Sequence, residues 1–125
     1  MRALVVDDEE DLCDLVKEYL QQLNFETSSC LTGEEALLHI SRQNWDLFVI
    51  DIKLATAVTG IDLMREIRTK QPRAVMVAIT GYIDIGLQQE AEKLGVKAYL
   101  LKPDDLKEEV FLKKITTLLP SARLS

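Results

Sequence analysis

Ala3-Leu4-Val5-Val6-Asp7-Asp8 is an apolar run with no polar alternation that stops abruptly at two carboxylates. A strand with one wet face alternates, so a run without alternation reads as a strand buried on both faces, as in a parallel sheet covered by helices. Working outward, the same signature returns at Leu47-Phe48-Val49-Ile50, Val75-Met76-Val77-Ala78-Ile79 and Ala98-Tyr99-Leu100-Leu101. The more polar Glu26-Thr27-Ser28-Ser29 is a fifth strand suited to a sheet edge. Between these runs apolar residues recur at helical spacing, as in Leu12, Val16, Tyr19, Leu20 and Leu23, or Leu87, Ala91 and Leu94. Thr32-Gly33-Glu34-Glu35 has the form of a capping box opening a helix through His39 and Ile40, and Gly95 reads as a helix stop. Two further helices are expected from about Ile61 to Lys70, before Pro72, and from about Asp105 to Leu119, before Pro120. Five strand-helix units of roughly 25 residues each match the βα repeat and predict an α/β domain with a parallel sheet.

Composition narrows the function classes. The chain has 125 residues, 47% of them hydrophobic, which is enough for one domain with its own core. With 15 basic against 21 acidic residues, a net charge of -6 and no basic cluster, binding to nucleic acid or to an anionic membrane surface is disfavoured. Apolar runs reach about five residues, far short of the ~20 that span a bilayer, and Met1-Arg2-Ala3 runs directly into the first strand, so neither a signal peptide nor a transmembrane helix is expected. Cys13 and Cys30 lack CxxC spacing and His39 is the only histidine. That argues against a zinc site, a disulfide framework and Cys/His catalysis, and for a reducing cytoplasm. Cys13, Cys30 and Trp45 are expected in or near the core, and His39 on the surface.

Parallel strands present their carboxyl ends along one edge, where open α/β sheets bind ligands. The first run ends in Asp7-Asp8, the third strand in Asp51, the fourth in Thr80 and the fifth in Lys102-Pro103. Two like charges ~4 Å apart repel by about 4 kcal/mol at an effective dielectric of ~20, so three carboxylates meeting there accumulate on the order of 10 kcal/mol. Lys102 offsets part of this, and a divalent cation with a taste for hard oxygens, Mg²⁺ rather than zinc, would offset the rest. A carboxylate beside Mg²⁺ and a lysine is a competent phosphoryl acceptor, and the Thr80 hydroxyl is placed to hydrogen-bond the new group. Glu9, Glu10 and Asp11 read as solvated charges favourable at a helix N-terminus.

The Asp7-Asp8 pair, Asp51, Thr80-Gly81 and Lys102-Pro103, in this order and at these spacings, resemble the receiver domain of bacterial two-component response regulators over about Arg2 to Leu119. The resemblance implies a flavodoxin-like, doubly wound, five-stranded parallel sheet of order 2-1-3-4-5 with helices on both faces. It implies a receiver domain over 1–120 and a tail or linker stub at 121–125. Asp51 would be the phosphorylation site, Asp7, Asp8, Asp51 and the backbone carbonyl of Lys53 the Mg²⁺ ligands, and Lys102 the phosphoryl-binding lysine. Thr80 and Tyr99 would form the switch, the tyrosine ring moving from an exposed to a buried rotamer. The Lys102-Pro103 bond would be cis. Lys53 and Tyr82 occupy positions that in this family modulate acyl-phosphate lifetime.

Partners implied in the same way are a sensor histidine kinase or phosphotransfer protein, an effector domain or downstream protein, and a phosphorylation-dependent homodimer, with no direct nucleic-acid or membrane binding. Such a domain catalyses its own phosphorylation and slow autodephosphorylation without being a conventional enzyme. One departure stands out: the family has proline four residues after the acceptor and glycine eight after, whereas here Ala55 and, nine after, Gly60 occur. That leaves open a pseudo-receiver, folded alike but never phosphorylated. A haloacid dehalogenase-type phosphatase would need a second aspartate where Lys53 stands. The last helix carries an apolar stripe, Val110, Phe111, Leu112, Ile115, Leu118 and Leu119, wider than one sheet-facing side requires; a partner surface and full packing both account for it.

Overall fold

The computed structural model describes residues 1–119. Five strands, β1 (Arg2–Val6), β2 (Glu26–Cys30), β3 (Leu47–Asp51), β4 (Val75–Thr80) and β5 (Ala98–Leu101), alternate with helices α1 (Glu10–Gln22), α2 (Gly33–Arg42), α3 (Gly60–Lys70), α4 (Ile85–Lys93) and α5 (Glu108–Leu118). The strands pair in parallel in the order β2-β1-β3-β4-β5, with the polar β2 at the edge. This is the doubly wound flavodoxin-like sheet expected above.

Alternate residues of each central strand feed opposite cores. Leu4, Val6, Phe48, Ile50, Met76 and Ala78 point into a core shared with α2, α3 and α4. Ala3, Val5, Leu47, Val49, Val77 and Ile79 point into a core shared with α1 and α5. The chain order reverses between β1 and β3, so the carboxyl ends of these two strands open a crevice between outgoing connections.

Several sequence-based expectations need correction. The expected helix from Asp105 to Leu119 is broken into a single 3₁₀ turn, Asp104–Leu106, and α5, with Lys107 extended between them (φ -66°, ψ 139°). Asp105 accepts the Leu101 N–H at 2.8 Å, Leu106 is buried, and the Leu106 carbonyl accepts the Tyr19 hydroxyl at 3.0 Å; these contacts pull the segment out of helical register. Thr32 caps only the Glu35 N–H, while the reciprocal capping box belongs to Thr59 and Asp62. His39 is half-buried rather than simply on the surface: its ring meets Trp45 edge-on at 6.0 Å, and its carbonyl accepts the Trp45 indole N–H.

Cys13, Cys30 and Trp45 are buried as expected, and Gly95 follows α4 with φ +96°. Of the α5 stripe, Phe111, Ile115 and Leu119 are buried and Val110, Leu112 and Leu118 half-buried, so packing accounts for most of it. The Pro120 stop and the 121–125 tail lie outside the described residues. Among the described residues no helix is long and apolar enough to cross a membrane.

Candidate functional site

Three strand ends turn in the same way. Asp7 Oδ1 accepts the Glu9 N–H at 2.9 Å, Asp51 Oδ1 accepts the Lys53 N–H at 2.9 Å, and Thr80 Oγ1 accepts the Tyr82 N–H at 3.2 Å. Each side chain binds the backbone two residues on, the local bond that makes Asp and Thr favourable where a chain leaves a strand. Each aspartate thereby keeps its second oxygen free for the crevice.

Those oxygens converge on Lys102, delivered by the end of β5 and followed by a cis peptide bond to Pro103. Lys102 Nζ stands 2.9 Å from Asp7 Oδ2, 3.4 Å from Asp51 Oδ2 and 3.4 Å from Glu9 Oε2. The lysine side chain is 15% exposed, and Asp7 and Thr80 are fully buried. Asp8, Glu9, Asp51, Lys53, Thr80, Gly81, Tyr82 and Lys102 line one cleft of about 380 Å³.

Burial sets the direction for the two buried aspartates. It pushes the Asp7 carboxyl up to about 6, and the contacts with Lys102 and the Glu9 amide offset only part of that rise. Asp51 is raised as well, first by burial, against the pull of the Lys53 amide and Lys102. For Lys102 burial acts downward, yet the surrounding Asp7, Asp51 and Glu9 outweigh it and the net shift is upward. The site therefore holds its protons more tightly than the same groups would in water.

Asp7, Asp8 and Asp51 place carboxylate oxygens within 4.8 Å of one another. Asp7 Oδ2 is buried, and its contact with Lys102 is an ion pair without hydrogen-bond geometry. A hard, all-oxygen donor set with an under-satisfied buried oxygen and one ammonium for three carboxylates suits a divalent cation such as Mg²⁺. The donors present fit that group.

Of the residues singled out from sequence, Asp8, Asp51, Lys53, Thr80 and Lys102 line one cleft, Asp7 is buried against Lys102, and Tyr99 is not among the lining residues. Lys53 contributes its amide to Asp51, while its ammonium lies 5.0 Å from the centre of the Tyr82 ring and 3.8 Å from Asp84. Tyr99 is half-buried with its hydroxyl already sealed and without a hydrogen-bond partner, where an exposed starting rotamer was expected. Glu9, read from sequence as a solvated charge, is exposed as expected and also stands 3.4 Å from Lys102 Nζ. Position alone distinguished it from Glu10 and Asp11, and its partner lies 93 residues away.

Comparison with known proteins points the same way. Residues 3–115 match the family model described as response regulator receiver domain. The chain is 32% identical to the response regulator protein PilR of Pseudomonas aeruginosa over 105 residues, which cover 84% of this chain and 23% of PilR. A response regulator receiver domain protein from Methanospirillum hungatei superposes with a TM-score of 0.86 at 27% identity, covering 94% of this chain and 91% of that one. The BeF3-activated receiver domain of DrrB from Thermotoga maritima gives a TM-score of 0.82 at 26% identity, with 93% and 94% covered.

Proposed function

This chain belongs to the response regulator receiver domain family, and from that premise we propose that it is a phosphorylation-controlled switch with Asp51 as the acceptor. The observation that carries the proposal is the meeting of Asp7 Oδ2 and Asp51 Oδ2 on one largely buried ammonium at the point where the strand order reverses. Asp51 Oδ2 attacks the phosphorus of a phosphohistidine on a histidine kinase or phosphotransfer protein. The O–P bond forms as the P–N bond breaks, and the imidazole leaves with the electron pair.

Asp7, Asp8, Asp51 and the Lys53 carbonyl would hold Mg²⁺, which when bound adds positive charge to the phosphoryl oxygens. Lys102 neutralises the same oxygens, and the Thr80 hydroxyl, whose oxygen accepts the Tyr82 N–H, donates its proton to one of them. The Lys53 amide on Oδ1 aims the acceptor carboxylate. Slow hydrolysis of the acyl phosphate returns the switch to rest.

Output is proposed at the face of α4, β5 and α5, where Tyr99 lies, toward an effector domain, a downstream protein or a second copy. The proposed setting is a reducing cytoplasm, in which Cys13 and Cys30 stay free thiols. That DrrB has been obtained in a BeF3-activated form supports the switch reading for a domain of the same family.

Incubation with Mg²⁺ and a small phosphodonor, followed by intact mass, tests the proposal. One stable phosphoryl adduct is expected. Steady phosphate release with no adduct would mean a phosphatase, and no reaction a pseudo-receiver.

A further inference from the structure

The segment between Asp51 and α3 is one residue longer than the family pattern and has Ala55 in place of proline, so its backbone is held by other means. Thr56 Oγ1 accepts the Gly33 N–H at 3.3 Å and donates to the Val58 carbonyl at 2.7 Å, while the Val58 N–H donates to Glu34 Oε1 at 3.2 Å. The approach is so close that a Cβ on Gly33 would lie 2.2 Å from the Val58 carbonyl oxygen. Leu54 is buried in the core shared with α2 and α3, and Val58 packs against it. The near end of the loop is the Lys53 N–H on Asp51 Oδ1 at 2.9 Å.

These contacts form one chain of restraint. A loop without them samples more backbone states, and the Lys53 amide would spend part of its time away from the acceptor carboxylate. Asp51 would then be free to turn Oδ2 away from Lys102.

We propose that Gly33, Glu34 and Thr56 are positioning residues for the acceptor site. The first turn of α2 holds the loop, the loop holds the Lys53 amide, and the Lys53 amide holds Asp51 Oδ1. This deepens the phosphoryl-acceptor reading and rests on it for its functional meaning, but the geometry is testable without either metal or phosphodonor. It also assigns α2 a task in the site, although neither it nor any of its residues lines the acceptor cleft.

The test uses Thr56→Val, which keeps the shape and deletes both hydroxyl bonds, with Glu34→Ala and Glu34→Gln. The glutamine keeps an acceptor for the Val58 N–H while removing the charge, so it separates positioning from electrostatics. In the metal-free protein, hydrogen exchange of the Lys53 amide should quicken about fivefold in Thr56→Val and Glu34→Ala, the order expected for one lost hydrogen bond, and stay at the wild-type rate in Glu34→Gln. Mg²⁺ affinity measured by calorimetry should fall by a similar factor in the same two variants.

Faster exchange at Gly33 and Val58 with Lys53 unchanged overturns the proposal, because the latch would then stop at the loop. Equal effects of Glu34→Ala and Glu34→Gln overturn it too, since charge alone would explain them. A wild-type protein that binds no Mg²⁺ would count against the acceptor reading, while the Lys53 exchange rates would still decide the positioning claim.

Discussion

The Asp7 carboxyl is fully buried beside Asp51 and Lys102, and its proton affinity follows from that burial. Its pKa in the fold, about 6, lies above the ordinary 3.8, so the folded state holds the proton more tightly than the unfolded chain does. Stability from this group is complete below about pH 4 and is lost as pH rises through 6. Asp51 is shifted in the same direction, and Asp62, which is lowered, titrates below this window. The metal-free protein should therefore gain about 1 kcal/mol between pH 7 and pH 5, read as a rising thermal midpoint. The gain should shrink in Asp7→Asn and when Mg²⁺ holds the carboxylates ionised. A wild-type midpoint that fails to rise over this interval, or an equal rise in Asp7→Asn, would contradict this assignment. The gathering of Asp7, Asp8, Asp51, Thr80 and Lys102 was legible, because each sits at the end of a strand-like run. The contact of Glu9 with Lys102 was not, because it depends on a lysine brought alongside by folding.

Among the elements, the α3 N-terminus is held close to the end of β3. A Cβ at Gly60 would lie 2.4 Å from the Asp51 carbonyl oxygen and 2.7 Å from Ile52 Cα, both backbone atoms that cannot step aside. Gly60→Ala should cost at least about 2 kcal/mol in a denaturant melt. Gly86, in α4, has only the Asp84 carboxylate at 3.5 Å, so Gly86→Ala should be neutral or stabilising by up to about 1 kcal/mol. Equal responses of the two variants would argue against the tight approach at Gly60. The strands were legible from unalternated apolar runs, and the helices from their spacing. The break at Lys107 was hidden because Val110, Phe111 and Ile115 continue a helical pattern, while the forces that end it, Asp105 on Leu101 and Leu106 under Tyr19, are tertiary. The capping box was placed at Thr32 because Glu35 stands three residues on. Folding leaves that glutamate unused for the purpose, and Asp62 performs it for Thr59.

Across the whole molecule, the proposed switch couples Asp51 to a distant face through Thr80 and Tyr99. In the proposed switch an acyl phosphate would add about two negative charges, drawing in Lys102 and the Thr80 hydroxyl and loosening that oxygen from the Tyr82 N–H. The Tyr99 hydroxyl is already buried here without a hydrogen-bond partner, so phosphorylation is expected to shift the population of an existing inward state rather than create one. Thr80→Ala should still accept phosphate but lose the amide spectral changes around Tyr99; a spectrum matching that of the phosphorylated wild type would sink the coupling while sparing the acceptor. The gathering of strand-end residues was readable from the chain, and the sheet order from the family resemblance, whereas the contacts between loop 53–59 and α2 arise from pairings more than 20 residues apart. The central claim is that Asp51 accepts the phosphoryl group. Its most direct test is intact mass after exposure to a small phosphodonor, for wild type and Asp51→Asn, each with and without Mg²⁺. One phosphoryl adduct is expected in the wild type with Mg²⁺ and none in the other three samples, the amide being near-isosteric but a poor nucleophile. An equal adduct on folded Asp51→Asn, or none on any sample, would contradict it.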